Sequence, residues 1–232
     1  LASARRVLIK PNAGYPFPHP VTTSKETLSI VISGIRRVSD ADIIMLEESR
    51  SSETMHKIYR GLGYDFPRIR LLDVRSQHYV EVENPLPKPL ALPTMWVPNV
   101  ILACDYLISV ASFKIFPDGG SFTLRNIVGL LPSSKYGGRG SSQNDLLHQM
   151  GIHNVVTDIY FTIPFDCGIV DARKKFVGTD DPTQGSIEDF GKVFVGEPYE
   201  VDCEAAAAAG VTTRYLTLID EAKGQISAKS LT

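Results

Sequence analysis

The sequence predicts one α/β domain with a predominantly parallel or mixed central sheet and helices on both faces, a three-layer sandwich. Three observations carry this expectation: short apolar runs of strand length, helix-period patterns between them, and polar or turn-forming residues directly after the runs. No linker divides the 232 residues, so the domain is expected to span 1–232, with an irregular proline-rich insertion around 84–98.

Val7-Leu8-Ile9 reads as the first strand and ends in Lys10-Pro11-Asn12-Ala13-Gly14, where proline and glycine interrupt pairing. After prolines 16, 18 and 20, Thr23-Ser24-Lys25-Glu26 has capping-box spacing, and Leu28, Val31, Ile32 and Ile35 share a helical face. Asp42 to Leu46 supplies a second strand. The helix expected after it starts near Ser51-Ser52-Glu53 and ends at Gly61 and Gly63. Arg68 to Val74 is the third strand, and three strands separated by two helices favour parallel pairing with right-handed crossovers. Prolines 85, 87, 89, 93 and 98 then oppose a central element and favour an extended crossing or an edge hairpin.

Tyr106 to Val110 resumes the buried-strand pattern and runs into Ser112-Phe113-Lys114, and Thr123 to Leu130 forms a short helix or turn-rich segment. Gly137 to Ser142 is the candidate mobile loop. A long helix is expected from Asn144 to Tyr160, broken at Gly151. Cys167 to Asp171 is a further strand and Phe190 to Val195 a weaker one. Alanine-rich Glu200 to Ala209 is helix-prone and stops at Gly210, and a last helix runs from Thr213 to near Gly224.

A formal charge of -2 gives no long-range attraction to nucleic acid or an anionic membrane, and no run approaches the ~18 apolar residues of a membrane helix. Neither partner is expected. Three scattered cysteines, Cys104, Cys167 and Cys203, fit reduced thiols better than a disulfide framework. With no secretion-signal pattern at the start, the expected location is cytoplasmic, with a processed exported form as the alternative.

In an open parallel sheet, ligands bind beyond the carboxyl ends of the strands, so the polar strand ends are the candidate site. Lys10, Asn12, Ser49, Lys114, Arg125 and Asn126 are the candidate ligand-binding residues, because ammonium, guanidinium and amide groups together hold a carboxylate or phosphate. Glu48 and Asp171 are the candidate ligands for a divalent cation, and Mg²⁺ suits carboxylates with retained water. Glu47, Asp180 and Asp181 belong to the same acidic pool. The bland alternative is that Lys10 and Arg125 pair structurally with Glu47, Glu48 or Asp171. Phe113, Phe116 and Phe122 line a pocket or pack in the core.

Several signatures are absent. No phosphate-loop motif occurs, Gly61-Leu62-Gly63 ends a helix instead of opening one, and no Gly-x-Ser-x-Gly elbow is present. His148 and His153 lack zinc-site spacing, and the cysteines lack iron–sulfur or Cys-x-x-Cys spacing.

Ordered short motifs along most of the chain resemble the DUF362 family, a group whose members sometimes carry a ferredoxin-like iron–sulfur module. They include Lys10-Pro11-Asn12, Thr22-Thr23, Glu48-Ser49, Gly61-Leu62-Gly63-Tyr64, Asp73, Asp105 to Lys114, Thr123 to Pro132, Asp171 and Pro198 to Ala205. The family's Lys-Thr-His looks like Lys114-Ile115-Phe116 here, its Lys-Asn like Arg125-Asn126, and its late Ser-Thr-Asp-Pro like Val195-Gly196-Glu197-Pro198. The resemblance therefore implies retained cations without the histidine. It implies no intrinsic iron–sulfur cluster, since the cysteine module has no counterpart in this sequence.

The functional expectation is a protein that binds a small anionic metabolite or divalent cation at the strand-end crevice. The alternative is a non-catalytic scaffold or subunit of a redox-associated complex, acting through a protein partner or as a homo-oligomer. No nucleophile is recognisable in the sequence.

Overall fold

The computed structural model describes residues 1–137, 145–179 and 181–229. The first half contains β1 (Arg6–Pro11), α1 (Lys25–Val38), β2 (Asp42–Glu47), α2 (Met55–Gly61), β3 (Ile69–Asp73), β4 (Tyr79–Glu83), β5 (Thr94–Pro98) and α3 (Asn99–Leu102). The second contains β6 (Tyr106–Phe116), β7 (Gly119–Ser121), α4 (Thr123–Ile127), α5 (Ser133–Tyr136), α6 (Asp145–Gln149), α7 (Ile152–Thr162), β8 (Cys167–Gly178), β9 (Gly185–Gly196), α8 (Pro198–Ala209) and α9 (Arg214–Lys229). The Gly138 to Ser142 part of the glycine-rich segment, and Asp180, lie outside the described residues.

The main sheet runs in the order β3-β2-β1-β6-β8-β9, with β7 folded back on β6. The contacts from β3 through β8 are parallel, and β9 closes the edge antiparallel to β8. The chain winds outward from β1 through β2 to β3 and then returns to place β6 on the other side of β1. That reversal makes the gap between β1 and β6 the topological switch point.

Both faces of the sheet are covered, which explains why its central strands are apolar without alternation. Val7 and Ile9 pack with Leu28, Ile32 and Ile35 of α1 and with Met55 and Ile58 of α2. Leu8 points the opposite way, into a cluster with Leu124 and Ile127 of α4, Val155 and Ile159 of α7, and Ile219 of α9. Each such fully buried side chain contributes on the order of 1.5–3 kcal/mol relative to exposure. A third cluster seats Val201, Ala205 and Ala206 of α8 against Phe113, Phe122 and Val170.

Local signals set the helix ends. Ser24, rather than Thr23, caps α1 by accepting from Thr27 N at 3.0 Å. Thr23 instead accepts from Asn12 N at 2.8 Å and donates to Val110 O at 2.7 Å, fastening the loop after β1 to β6. Thr54 caps α2. Gly151, at φ 87°, separates α6 from α7, and Gly210, at φ 66°, terminates α8. The last helix runs past Gly224 to Lys229.

The proline-rich segment lies between the strands of a separate antiparallel pair, β4 and β5. Its loop is held from outside: the buried Asp158 carboxylate of α7 accepts from Leu90 N at 3.0 Å, Ala91 N at 2.7 Å and Leu92 N at 2.7 Å. Trp96 is half-buried in this region, with Lys135 Nζ 3.9 Å from its ring centroid. Among the described residues, no helix is long and apolar enough to cross a membrane.

Candidate functional site

A pocket opens at the carboxyl end of β1, beside the switch point. It encloses about 50 Å³, room for roughly four water molecules at ~10–15 Å³ of occupied volume each. Lys10, Asn12, Lys114, Arg125 and Asn126 all line it, together with Tyr15, Glu47, Arg50, Phe116 and Gly129. Five of the six ligand-binding candidates are thus brought together from the ends of β1 and β6 and from α4.

Strand length explains the convergence. The β1–β6 ladder ends at Pro11 opposite Val110, whereas β6 continues to Ile115 against β8. The extra length lets Lys114 stand over the end of β1, where its Nζ donates to Asn12 Oδ1 at 3.2 Å. Arg125 is brought beside it by α4 and is buried. Its Nη1 lies 2.9 Å from both Asp118 oxygens, and its guanidinium lies 5.0 Å from the Phe116 ring centroid.

Lys10 forms the base of the pocket. Its Nζ donates to Glu47 Oε2 at 2.8 Å, Pro11 O at 2.8 Å and Asn126 Oδ1 at 3.2 Å, so the three N–H groups of an ammonium all have protein acceptors. Burial pushes the Lys10 pKa down, and the Glu47 charge opposes that shift. Asn126 completes the frame by donating to Lys10 O and Ser109 Oγ, both at 3.1 Å. Lys10 and Asn126 are therefore built into the scaffold, and Lys114 and Arg125 are buried beside them with protein partners of their own.

Glu47 organises the neighbouring loop. Besides Lys10, it accepts from Ala13 N at 2.8 Å and from Glu48 N at 2.9 Å. Gly129 allows this packing, since a Cβ there would sit 2.9 Å from Glu47 Oε1 and 3.1 Å from Lys10 Nζ.

The two carboxylates expected to hold a cation belong to separate networks, and neither lines the pocket. Glu48 is tied to Ser133, accepting from its N at 3.0 Å and its Oγ at 2.5 Å. Burial raises the Glu48 pKa and these bonds oppose the rise. Asp171 accepts from Ser24 Oγ at 3.0 Å, Thr27 Oγ1 at 2.6 Å and Arg173 Nη2 at 3.0 Å. Burial acts to raise its pKa, but Arg173, Thr27, the His19 charge and Ser24 together hold it at about 2. Ser49 stands apart from the pocket too, in a turn where it donates to Ser51 O at 3.0 Å. Among the described residues, no group of three or more His, Cys, Asp or Glu is arranged to hold a metal.

The model of a domain of unknown function, DUF362, matches residues 7–208. The chain belongs to the DUF362 family. No significantly similar sequence was found among curated proteins. Among solved structures, this DUF362 chain is similar to the lactate racemase apoprotein from Thermoanaerobacterium thermosaccharolyticum, with TM-score 0.53 and 14% identity. The likeness covers 88% of this chain and 49% of the racemase, so the chain spans about half the length of that relative and shares its fold.

In this family member, the Arg125-Asn126 pair sits at the pocket and Phe116 occupies its wall. Phe113 and Phe122 instead stack in the core, 5.2 Å apart. Lys10 does pair with Glu47, as the bland alternative held, while Arg125 pairs with Asp118. Arg50 and Tyr15 carry no strand-end signal in the sequence because they lie on loops. Glu47 could have been preferred over Glu48 from its place at the last position of β2.

Proposed function

We propose that this DUF362 protein binds a small anionic metabolite in the switch-point pocket. Lys114 and Arg125 supply the charge, Asn12 orients Lys114, and the Lys10–Glu47–Asn126 frame keeps the base of the pocket rigid. The supporting observation is the convergence, at one pocket, of cationic groups from β1, β6 and α4. Four cationic side chains and one carboxylate occur among the described lining residues. Buried, pre-positioned cations of this kind favour an anion without reorganising when it arrives.

Orthophosphate and a short carboxylate are the simplest anions that present oxygens to these groups. Lactate is a fitting carboxylate probe because the solved fold relative is named for it. Glu48 and Asp171, engaged with serine, threonine and arginine donors, hold their own loops in this reading.

Isothermal titration of the full chain with orthophosphate and with lactate tests the proposal. At least one probe is expected to bind, and Lys114→Met is expected to weaken it by about tenfold or more, as for loss of a charge-assisted hydrogen bond. Equal affinity in the two proteins, or binding of neither probe, contradicts it.

A further inference from the structure

A second concavity, of about 500 Å³, lies at the β3 edge of the sheet, where α1 ends and β3 begins. Ile32, Phe66 and Pro67 give it an apolar wall, and Arg36, Arg37 and Arg68 surround it with the hydroxyls of Ser29 and Ser33. Asp40 is the one carboxylate in this lining. Three guanidinium groups against one carboxylate leave an excess of two positive charges.

Arg36 holds the frame. Its Nη1 donates to Ala41 O at 2.5 Å and its Nη2 to Arg68 O at 3.0 Å, joining α1 to the residues that enter β2 and β3. Arg68 adopts φ 59°, the left-handed region that glycine enters without the penalty of a Cβ. Its internal ion pair does not account for keeping a long side chain there. Arg68 Nη2 and Asp40 Oδ1 are 3.7 Å apart on side chains 67% and 96% exposed, a geometry worth little to folding. A guanidinium carried on a strained backbone, with weak internal use, is placed to meet something outside the chain.

We propose that this groove binds an organic phosphate monoester, with the phosphate between Arg37 and Arg68 and its apolar substituent against Ile32 and Phe66. Guanidinium forks match phosphate oxygens, the serine hydroxyls add donors, and a phosphate carrying about -1.5 to -2 charge matches the local excess. The site is independent of the switch-point pocket in both residues and position.

A heteronuclear NMR titration with phenyl phosphate, followed at the Ser33 and Asp40 amides, tests it. These amides are expected to shift and saturate, with inorganic phosphate at least tenfold weaker at the same amides. Arg68→Gly is expected to weaken phenyl phosphate at least tenfold while leaving the melting temperature unchanged or higher, since glycine relieves the backbone. Arg37→Ala, on the exposed face of α1, is expected to weaken it similarly, and Lys114→Met to leave it unchanged. Silent amides, equal affinity for the two phosphates, or unchanged affinity in Arg37→Ala would overturn the proposal.

Discussion

Lys10 Nζ lies 2.8 Å from Glu47 Oε2, and both side chains are shut off from solvent at the ends of adjacent parallel strands. This pair is costly to break from one side, because the remaining charge stays buried without its partner. Glu47→Gln is expected to lower folding free energy by about 3–5 kcal/mol in urea titrations, and Lys10→Met/Glu47→Gln is expected to lose less than the sum of Lys10→Met and Glu47→Gln. Additive losses would show that the two residues act separately.

Gly129 makes that pair fit. An added methyl meets Glu47 Oε1 and Lys10 Nζ at 2.9 and 3.1 Å, and neither group has room to retreat within its network. Gly129→Ala should therefore cost about 1–3 kcal/mol, the usual range for overpacking, read as a lower thermal midpoint.

Asp171 links stability to acid. Its folded pKa is about 2, below the ordinary 3.8, so on acidification the unfolded chain takes up the proton first. The contribution is complete above the unfolded value and disappears as pH falls through about 2, at about 2 kcal/mol for a shift of this size. Folding free energies of the parent and Asp171→Asn, measured from pH 5 to pH 2, should converge toward the acid end. A constant gap would contradict the assignment.

Asp158 is expected to govern the proline-rich loop from a distance in sequence. Its carboxylate receives three backbone N–H groups, from Leu90, Ala91 and Leu92. Asp158→Ala should leave those donors unpaired, lower stability by about 2–4 kcal/mol, and speed hydrogen exchange at the three amides. Unchanged exchange there would sink this role.

The sequence made the sheet and most of the pocket legible because apolar strand runs end at their carboxyl side in polar residues. Lys10, Asn12, Lys114, Arg125 and Asn126 carried that signal, and the β1–β6 switch point brings them together. The acidic residues were harder. Glu47 and Glu48 are neighbours, yet strand pleating and the turn after β2 send one to Lys10 and the other to Ser133, a choice decided by tertiary packing. Asp171 was identifiable as a strand residue, but its partners Ser24 and Thr27 arrive from the start of α1, 144 or more positions away. The β8 irregularity, where Ser112 faces Asp171 but Phe113 faces Lys175, also leaves no local pattern.

The β1–β6 switch point is proposed to receive a small anion. A ¹H–¹⁵N titration of the full chain with orthophosphate and lactate, followed at Asn12, Gly14, Asn126 and Gly129, tests it most directly. Saturable shifts are expected at these amides for at least one anion, with the response lost or strongly weakened in Lys114→Met. Shifts confined to other parts of the molecule, or an unchanged response in the variant, would contradict it.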